Sequence, residues 1–408
     1  MSDVMSPAKE ARRLRWAERY PELGTDPLPT SVFTSEDHFR DEVEKIFKKT
    51  WLQVGRVEEI PNAHDFKIRR LDFAEASAVI MRNKDGSLKA FHNICSHRGN
   101  KPISETGFDT FGNVRGGKFE CRFHGWVYDT AGTLVHVPEE DHFPPCFSRA
   151  ENGLTPIACD VWEGFIFINL DPKPDQDLKT FLGGLGEHLS GYPYGELTNV
   201  YRYQQVVRCN WKVALDAFSE SYHVPYLHRY LWPEAFGTTL EGIKFFGPHR
   251  TSEVFLDPAS MKVTDVGKIA NAVTENSLGQ SRPVKVMLPP QVNPEARADF
   301  AFELSAFFPN FMVHIGEGTC FTHNFYPIDV NTIMWEGTSY IHQSRTNREM
   351  FAEVWAEKMQ LNNWLEDSAT MEITQEALRS GAKDVFWLHD EEVLIRHSHK
   401  MVEHFISG

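Results

Sequence analysis

The chain has 408 residues, 41% hydrophobic and 24% charged, with a formal net charge of −15. That length exceeds one ordinary core and fits two domains, and the acidic balance disfavours nucleic acid as a partner, because phosphate binding needs a basic face. No apolar run of about 18 residues occurs, so no membrane span is expected, and the polar stretch from Met1 to Arg13 lacks the apolar core of a secretory signal, which points to a cytoplasmic protein.

In chain order, residues 9–20 and 35–49 read as helices, the second opened by Ser35 as N-cap with acids in its first turn. From Trp51 onward the pattern changes to short apolar or alternating runs at 51–54, 78–81, 88–94, 126–128, 134–137 and 165–170. Asp85-Gly86 and Ala131-Gly132 mark hairpins among them, so a small antiparallel β domain is expected. Residues 172–177 read as a linker. Beyond them a helix over 178–189 and a strand over 200–207 precede strand signals at 302–308, 311–315, 322–326 and 332–340. A long helical pattern over 348–380, stopped by Gly381, closes the chain's second domain. The expected class is α+β, with an N-terminal helical segment over 1–50 packing on the second domain, a β domain over 51–170 and the second domain over 178–408.

Two short loops in the β region each offer one thiol and one imidazole: Cys95-Ser96-His97-Arg98-Gly99 and Cys121-Arg122-Phe123-His124-Gly125-Trp126. Four such ligands suit a 2Fe-2S cluster with Cys95 and Cys121 on one iron and His97 and His124 on the other. Exchanging two thiolates for neutral histidines removes negative charge and raises the reduction potential. A tetrahedral zinc site also takes two Cys and two His, but zinc fingers bring their cysteines as one pair and their histidines as another, whereas these loops are mixed. The 23 residues between His97 and Cys121 leave room for a surface excursion over 107–118. Cys146, Cys159, Cys209 and Cys320 have no metal-like spacing and read as buried, reduced thiols.

The C-x-H-R-G and C-x-x-H-G-W forms resemble those of the Rieske-type non-heme iron ring-hydroxylating oxygenases, large (alpha) subunit, although the interval between the loops is longer than is usual there. The resemblance implies a Rieske domain joined to a helix-grip catalytic domain, an antiparallel sheet with a long C-terminal helix. It also directs attention to His223 and His228, five residues apart. On one regular helix they would project about 140° apart, so they can share a metal only if the helix ends between them. Pro225 supplies the interruption, leaving His223 on the last helical turn and His228 beyond it.

The pattern Glu220-x-Tyr222-His223-x-x-x-x-His228 is similar to the family's mononuclear iron motif, in which two histidines and one carboxylate leave open positions on Fe(II). Asp367 is the expected carboxylate. It shares a helical face with Trp364, Met371 and Leu378, whereas Glu366 sits beside Asn362, Asn363 and Thr370 in a more solvated setting; Asp390, Glu391 and Glu392 are rivals. The resemblance further implies that Glu220 bridges His223 to the partner subunit's His124, which requires a ring of subunits, typically a homotrimer, with a small beta subunit as an optional companion. Asp216 and Tyr222 are candidates for outer hydrogen bonds to the histidines.

The resulting expectation is a terminal oxygenase component that activates O2 at Fe(II) with electrons relayed through the cluster, hydroxylating an aromatic or other hydrophobic small molecule as in aromatic hydrocarbon catabolism. No G-x-G-x-x-G fingerprint follows a strand, so NAD(P)H oxidation falls to a separate ferredoxin or flavin reductase. Arg12, Arg13, Arg15, Lys45, Lys48 and Lys49 read as solvated helix faces, with docking of an acidic electron donor as the alternative. Phe218, Leu215, Phe308, Phe311 and His314 are candidate pocket residues, the competing reading being simple core. Oxidative O- or N-demethylation would use the same iron. A Rieske electron carrier without catalytic iron is the reading from another class.

Overall fold

The computed structural model describes residues 15–229, 236–256, 265–266, 268–269 and 286–408. The chain divides into two compact units, one formed by residues 43–181 and the other by residues 1–42 with 182–408. The first expected helix lies partly outside the described residues; within them Trp16–Arg19 is helical.

In the unit 43–181, a seven-stranded antiparallel sheet runs in the order Leu52–Arg56, Phe165–Asn169, Pro156–Trp162, Leu88–His92, Ala76–Arg82, Asp65–Leu71, Asp109–Asn113. A three-stranded sheet, Lys118–Cys121, Trp126–Asp129 and Leu134–His136, shares a hydrophobic core with it through Phe91, Cys95, Cys121, Trp126 and Tyr128. Both anticipated hairpins close at their glycines, with Gly86 N bonded to Asn83 O and Gly132 N to Asp129 O, each at 3.0 Å.

The strand Asp65–Leu71 escapes hydropathy reading because Lys67 and Arg69 occupy buried positions on it. Their charges are met inside the fold, Lys67 Nζ lying 2.8 Å from Glu59 Oε2 and Arg69 Nε 2.8 Å from Asp109 Oδ1, and a buried charge is tolerated only when so paired. The segment over 107–118 is therefore more than a surface excursion: Asp109–Asn113 is an edge strand on Asp65–Leu71, and it carries the counter-charge.

In the other unit the strand order is Asn199–Val207, Thr332–Ile341, Thr319–Asp329, Phe311–Gly316, Phe300–Phe307, His249–Leu256, Phe236–Phe246, antiparallel throughout. The last two strands and the final helix Val393–Ser407 add to the expected elements. The long helix Asn347–Leu378 is opened by Thr346, whose hydroxyl accepts from Glu349 N at 3.2 Å. Strand alternation turns Tyr203, Phe321, His323 and Trp335 to one face, and the ring of Trp364 on the long helix lies against all four, at centroid distances of 4.8–6.2 Å. That face and that helix frame the site.

Glu42 ends the helix Glu36–Glu42, which Ser35 caps by accepting from His38 N at 3.2 Å. Its buried carboxylate takes the Trp211 indole N–H at 2.8 Å, His38 Nε2 at 3.2 Å and the ammonium of Lys212, so the N-terminal segment grips the helix Trp211–Ala217. Burial alone would raise the Glu42 pKa, but the Lys212 charge and the hydrogen bonds outweigh it and hold the carboxyl below 4.5. Its stabilisation is then present above 4.5 and lost as pH falls through the folded-state value. Glu42→Gln strands the Lys212 charge and is expected to cost about 3–5 kcal/mol in urea unfolding at neutral pH, with a smaller difference from the parent in acid.

Candidate metal centres

The two loops of the unit 43–181 bring their ligand atoms together by kind. Cys95 and Cys121 are both buried, and the Cys95 thiol is pushed up first by burial and further by the neighbouring Cys121. The imidazoles of His97 and His124 meet edge to face at 4.5 Å, and His97 Nδ1 is buried with no protein partner among the described residues. A cluster with two thiolates on one metal and two imidazoles on the other fits this pairing.

Each loop turns at a glycine with positive φ, Gly99 at 76° and Gly125 at 72°, where Gly99 N bonds back to Cys95 O and Gly125 N to Cys121 O. Trp126 stacks on His97 at 4.9 Å, and the Tyr128 hydroxyl lies 3.2 Å from Cys95 Sγ while accepting from Ser96 N at 3.1 Å. With its acceptor role toward Ser96 filled, the Tyr128 hydroxyl is placed to donate to the sulfur. Among the four other cysteines, Cys209 and Cys320 are buried as expected, Cys159 is half-buried and Cys146 is exposed.

The second constellation lies wholly within the other unit. His223 Nε2 is 3.5 Å and His228 Nε2 is 3.1 Å from the same oxygen, Asp367 Oδ1. Adjacent ligands of an octahedral ion at bond lengths near 2.1 Å stand about 3 Å apart, and the three ligand atoms lie within 4.8 Å of one another, close enough to share one ion. The donor set, two imidazoles and a carboxylate, is that of a non-heme Fe(II) site with open positions. Asp367 is only 5% exposed.

The local backbone differs from the sequence expectation. The helix Trp211–Ala217 ends at Phe218, six residues before Pro225 would have ended it, and Ser219 to His223 are irregular, with bends at Ser219 and from Ser221 to His223. His223 is the N-cap and His228 the C-cap of a four-residue helix, Val224–Leu227, with Pro225 in its first turn. Proline is at home there because that N–H has no helical partner to lose. It starts a helical turn instead of stopping one, and the turn fixes the spacing of the histidines, whose rings lie 5.3 Å apart.

Carboxylates steady both imidazoles from behind. Glu220 accepts from His223 N at 3.1 Å and pairs with His223 Nδ1; Glu366 Oε2 lies 2.6 Å from His228 Nδ1. Glu366, set aside in the sequence reading as too solvated, is thus part of the site. Burial lowers the His223 pKa, yet hydrogen bonds and charge from Asp367 and Glu220 prevail and push it up to about 10; His228 is raised by Asp367 and Glu366 against the same burial.

Other expected residues stand elsewhere. Asp216 Oδ2 faces His399 Nε2 of the final helix at 2.8 Å, not an iron-site histidine. Tyr222, 41% exposed, stacks on His389 at 4.2 Å instead of supporting them. Among the rivals to Asp367, Asp390, Glu391 and Glu392 form the turn that precedes the final helix; Glu392 is pushed up to about 7 by burial and, against the His389 N–H that lowers it, by Glu220 and Asp216. Of the candidate pocket residues, Phe218 and His314 lie with the aromatic face, while Phe311 alternates to the opposite face from His314 and Phe308 stacks on Phe405 at 4.8 Å. Leu215 is buried in the helix Trp211–Ala217.

Residues 194–408 match the family model described as the ring hydroxylating alpha subunit (catalytic domain), and residues 50–149 match the Rieske 2Fe-2S domain. The chain belongs to the ring-hydroxylating alpha-subunit family. It is 32% identical over 233 residues to biphenyl 2,3-dioxygenase subunit alpha of Rhodococcus jostii, a match covering 55% of this chain and 49% of that one. To choline monooxygenase of Arabidopsis thaliana it is 30% identical over 227 residues, covering 52% and 51%. The chain thus spans about half the length of the curated relatives it matches. Among solved structures, the quaternary ammonium Rieske monooxygenase CntA shares the fold at a TM-score of 0.73 and 19% identity, covering 94% of this chain and 97% of that one. Naphthalene 1,2-dioxygenase from Rhodococcus sp. does so at 0.68 and 18%, covering 98% and 97%. The family models imply a Rieske cluster and a mononuclear iron as cofactors.

Two measurements probe these contacts. Tyr128→Phe removes the hydroxyl at Cys95 Sγ, and since such a donor favours the more negative reduced cluster, protein-film voltammetry is expected to show a lower potential by some tens of millivolts, the equivalent of about 1 kcal/mol. Glu366→Gln is expected to weaken Fe(II) binding about 10–100-fold in competition with a chelator, leaving the cluster's visible spectrum unchanged.

Proposed function

We propose that this chain is the terminal oxygenase component of a Rieske non-heme iron system. His223, His228 and Asp367 hold a mononuclear Fe(II), Cys95, His97, Cys121 and His124 hold the cluster, and a small hydrophobic or aromatic molecule is hydroxylated. The observation that carries this reading is the convergence of both Nε2 atoms on Asp367 Oδ1. An electron carrier with a merely structural second domain has no need of that convergence. When bound, the iron supplies the O2 activation that no side chain can.

The residues of the chain have separable tasks. Glu220 and Glu366 orient the imidazoles and fix which nitrogen faces the metal. Phe218 stacked on His323, and Phe321 against Trp364, furnish the apolar walls of the substrate site in this reading. A ferredoxin or flavin reductase supplies electrons from NAD(P)H, and in a homotrimer Glu220 receives the partner subunit's His124, a role its pairing with His223 supports. Six cysteines without a disulfide support a reducing, cytoplasmic setting.

Iron analysis tests the reading. About three irons per chain are expected in the parent and about two in Asp367→Ala. His223→Ala is expected to abolish O2 uptake coupled to oxidation of an aromatic substrate, driven by a surrogate reductase, with the cluster's visible spectrum intact. Retained turnover, or two irons in the parent, sinks the assignment.

A further inference from the structure

On the sheet face turned toward the long helix, two histidines stand among aromatic rings. His323 is fully buried, stacked on Phe218 at 4.2 Å and edge-on to Trp364 at 4.8 Å; His314 is buried, stacked on Phe321 at 4.4 Å and 5.5 Å from His323. Both are tied to the iron site by short steps: Phe218 directly follows the helix whose continuation bears Glu220 and His223, and Trp364 lies one helical turn before Asp367.

The hydrogen bonding of the pair is incomplete. His323 Nδ1 accepts from the Trp335 indole N–H at 3.2 Å, which fixes the tautomer and leaves the proton of the neutral ring on Nε2. That Nε2, and both nitrogens of His314, have no protein partner among the described residues. Burial pushes His314 down to about 3 and His323 well below its usual value, so both are uncharged. Buried polar atoms are nearly always satisfied, and an apolar side chain would fill this aromatic wall without that cost. A neutral donor of fixed direction suits an oxygen acceptor. It does not suit a carboxylate, since neutral rings cannot offset a buried charge. Arg250 sits in the same cross-strand row as His323 but three strands away, beyond Met312 and Ala306. Nor does it suit a quaternary ammonium group, toward which the His323 N–H would direct positive charge.

We propose that His323 and His314 recognise an uncharged oxygen on the substrate, so that the molecule oxygenated is an aromatic ketone, phenol or similarly oxygen-substituted ring and not a bare hydrocarbon. This rests on the oxygenase reading above and adds the substrate class. His323 Nε2–H donates to the substrate oxygen, and His314 donates or accepts beside it. A site built to bond an oxygen rejects the analogue that lacks it, because its own polar atoms are then left unpaired.

The test uses matched pairs of equal shape, acetophenone against α-methylstyrene and 2-acetylnaphthalene against 2-isopropenylnaphthalene, titrated calorimetrically into the anaerobic, iron-loaded protein. The ketone of at least one pair is expected to bind about tenfold tighter. His323→Phe and His314→Leu are each expected to reduce that preference to within about twofold. Thermal melting without ligand gives an independent readout: His314→Leu is expected to melt at or above the parent temperature, since it removes two unpaired buried nitrogens, whereas His323→Phe also strands the Trp335 indole N–H and is expected to melt lower. Equal binding within both pairs, no binding of either ketone, a preference that survives both substitutions, or a lowered melting temperature in His314→Leu overturns the proposal. If the parent holds three irons and consumes O2 with some aromatic compound yet shows no ketone preference, this proposal alone fails; if the mononuclear iron is missing, the oxygenase reading fails first.

Discussion

A carboxylate buried on a long helix needs positive charge beside it, and the catalytic unit is arranged around meeting that need at Asp367. Two imidazoles are aimed at one of its oxygens, and each is backed by a further acid, Glu220 or Glu366. Three carboxylates thus surround two rings, and one of them, Glu220, is near enough to Glu392 to help raise its pKa. Hydrogen bonds and charge from Asp367 and Glu220 raise the His223 pKa to about 10 against its burial. The negative excess is the electrostatic form of a cation site.

Bringing the histidine segment and the helix into register takes contacts outside the site. Asn210 N donates to Gln375 Oε1 at 3.0 Å, and Gln375 Nε2 donates onward to Phe33 O at 3.1 Å. Arg208 N donates to Glu372 Oε1 at 2.9 Å. The buried Glu42–Lys212 pair fastens the start of the histidine-bearing segment to the N-terminal helix. These anchors hold the elements on which the ligands sit, so ligand geometry follows from packing instead of being left to flexible loops.

The features legible in the sequence were those in which chemistry dictates local spacing. The mixed Cys and His loops are read from residue types and spacing, whereas the histidine pair and the choice of Asp367 over Glu366 lean on the family resemblance as well as on helical periodicity. What escaped depended on contacts between distant segments. Asp65–Leu71 was hidden because Lys67 and Arg69 point inward to partners at Glu59 and Asp109. Asp216 read as an iron-site residue because its partner, His399, is 183 positions away. Pro225 reads as a terminator from sequence because the same ring that stops a helix from within also begins one. Glu366 was judged by its sequence neighbours, although the residue that matters to it, His228, comes from another segment.

Phe218 couples two properties that are usually treated as independent. Its ring leans on His323 of the sheet, and its backbone is the hinge from which the chain bends toward Glu220 and His223. Remodelling the sheet wall to admit a bulkier molecule would press on that hinge, so a change of diet in this enzyme carries a change in how tightly it keeps its metal.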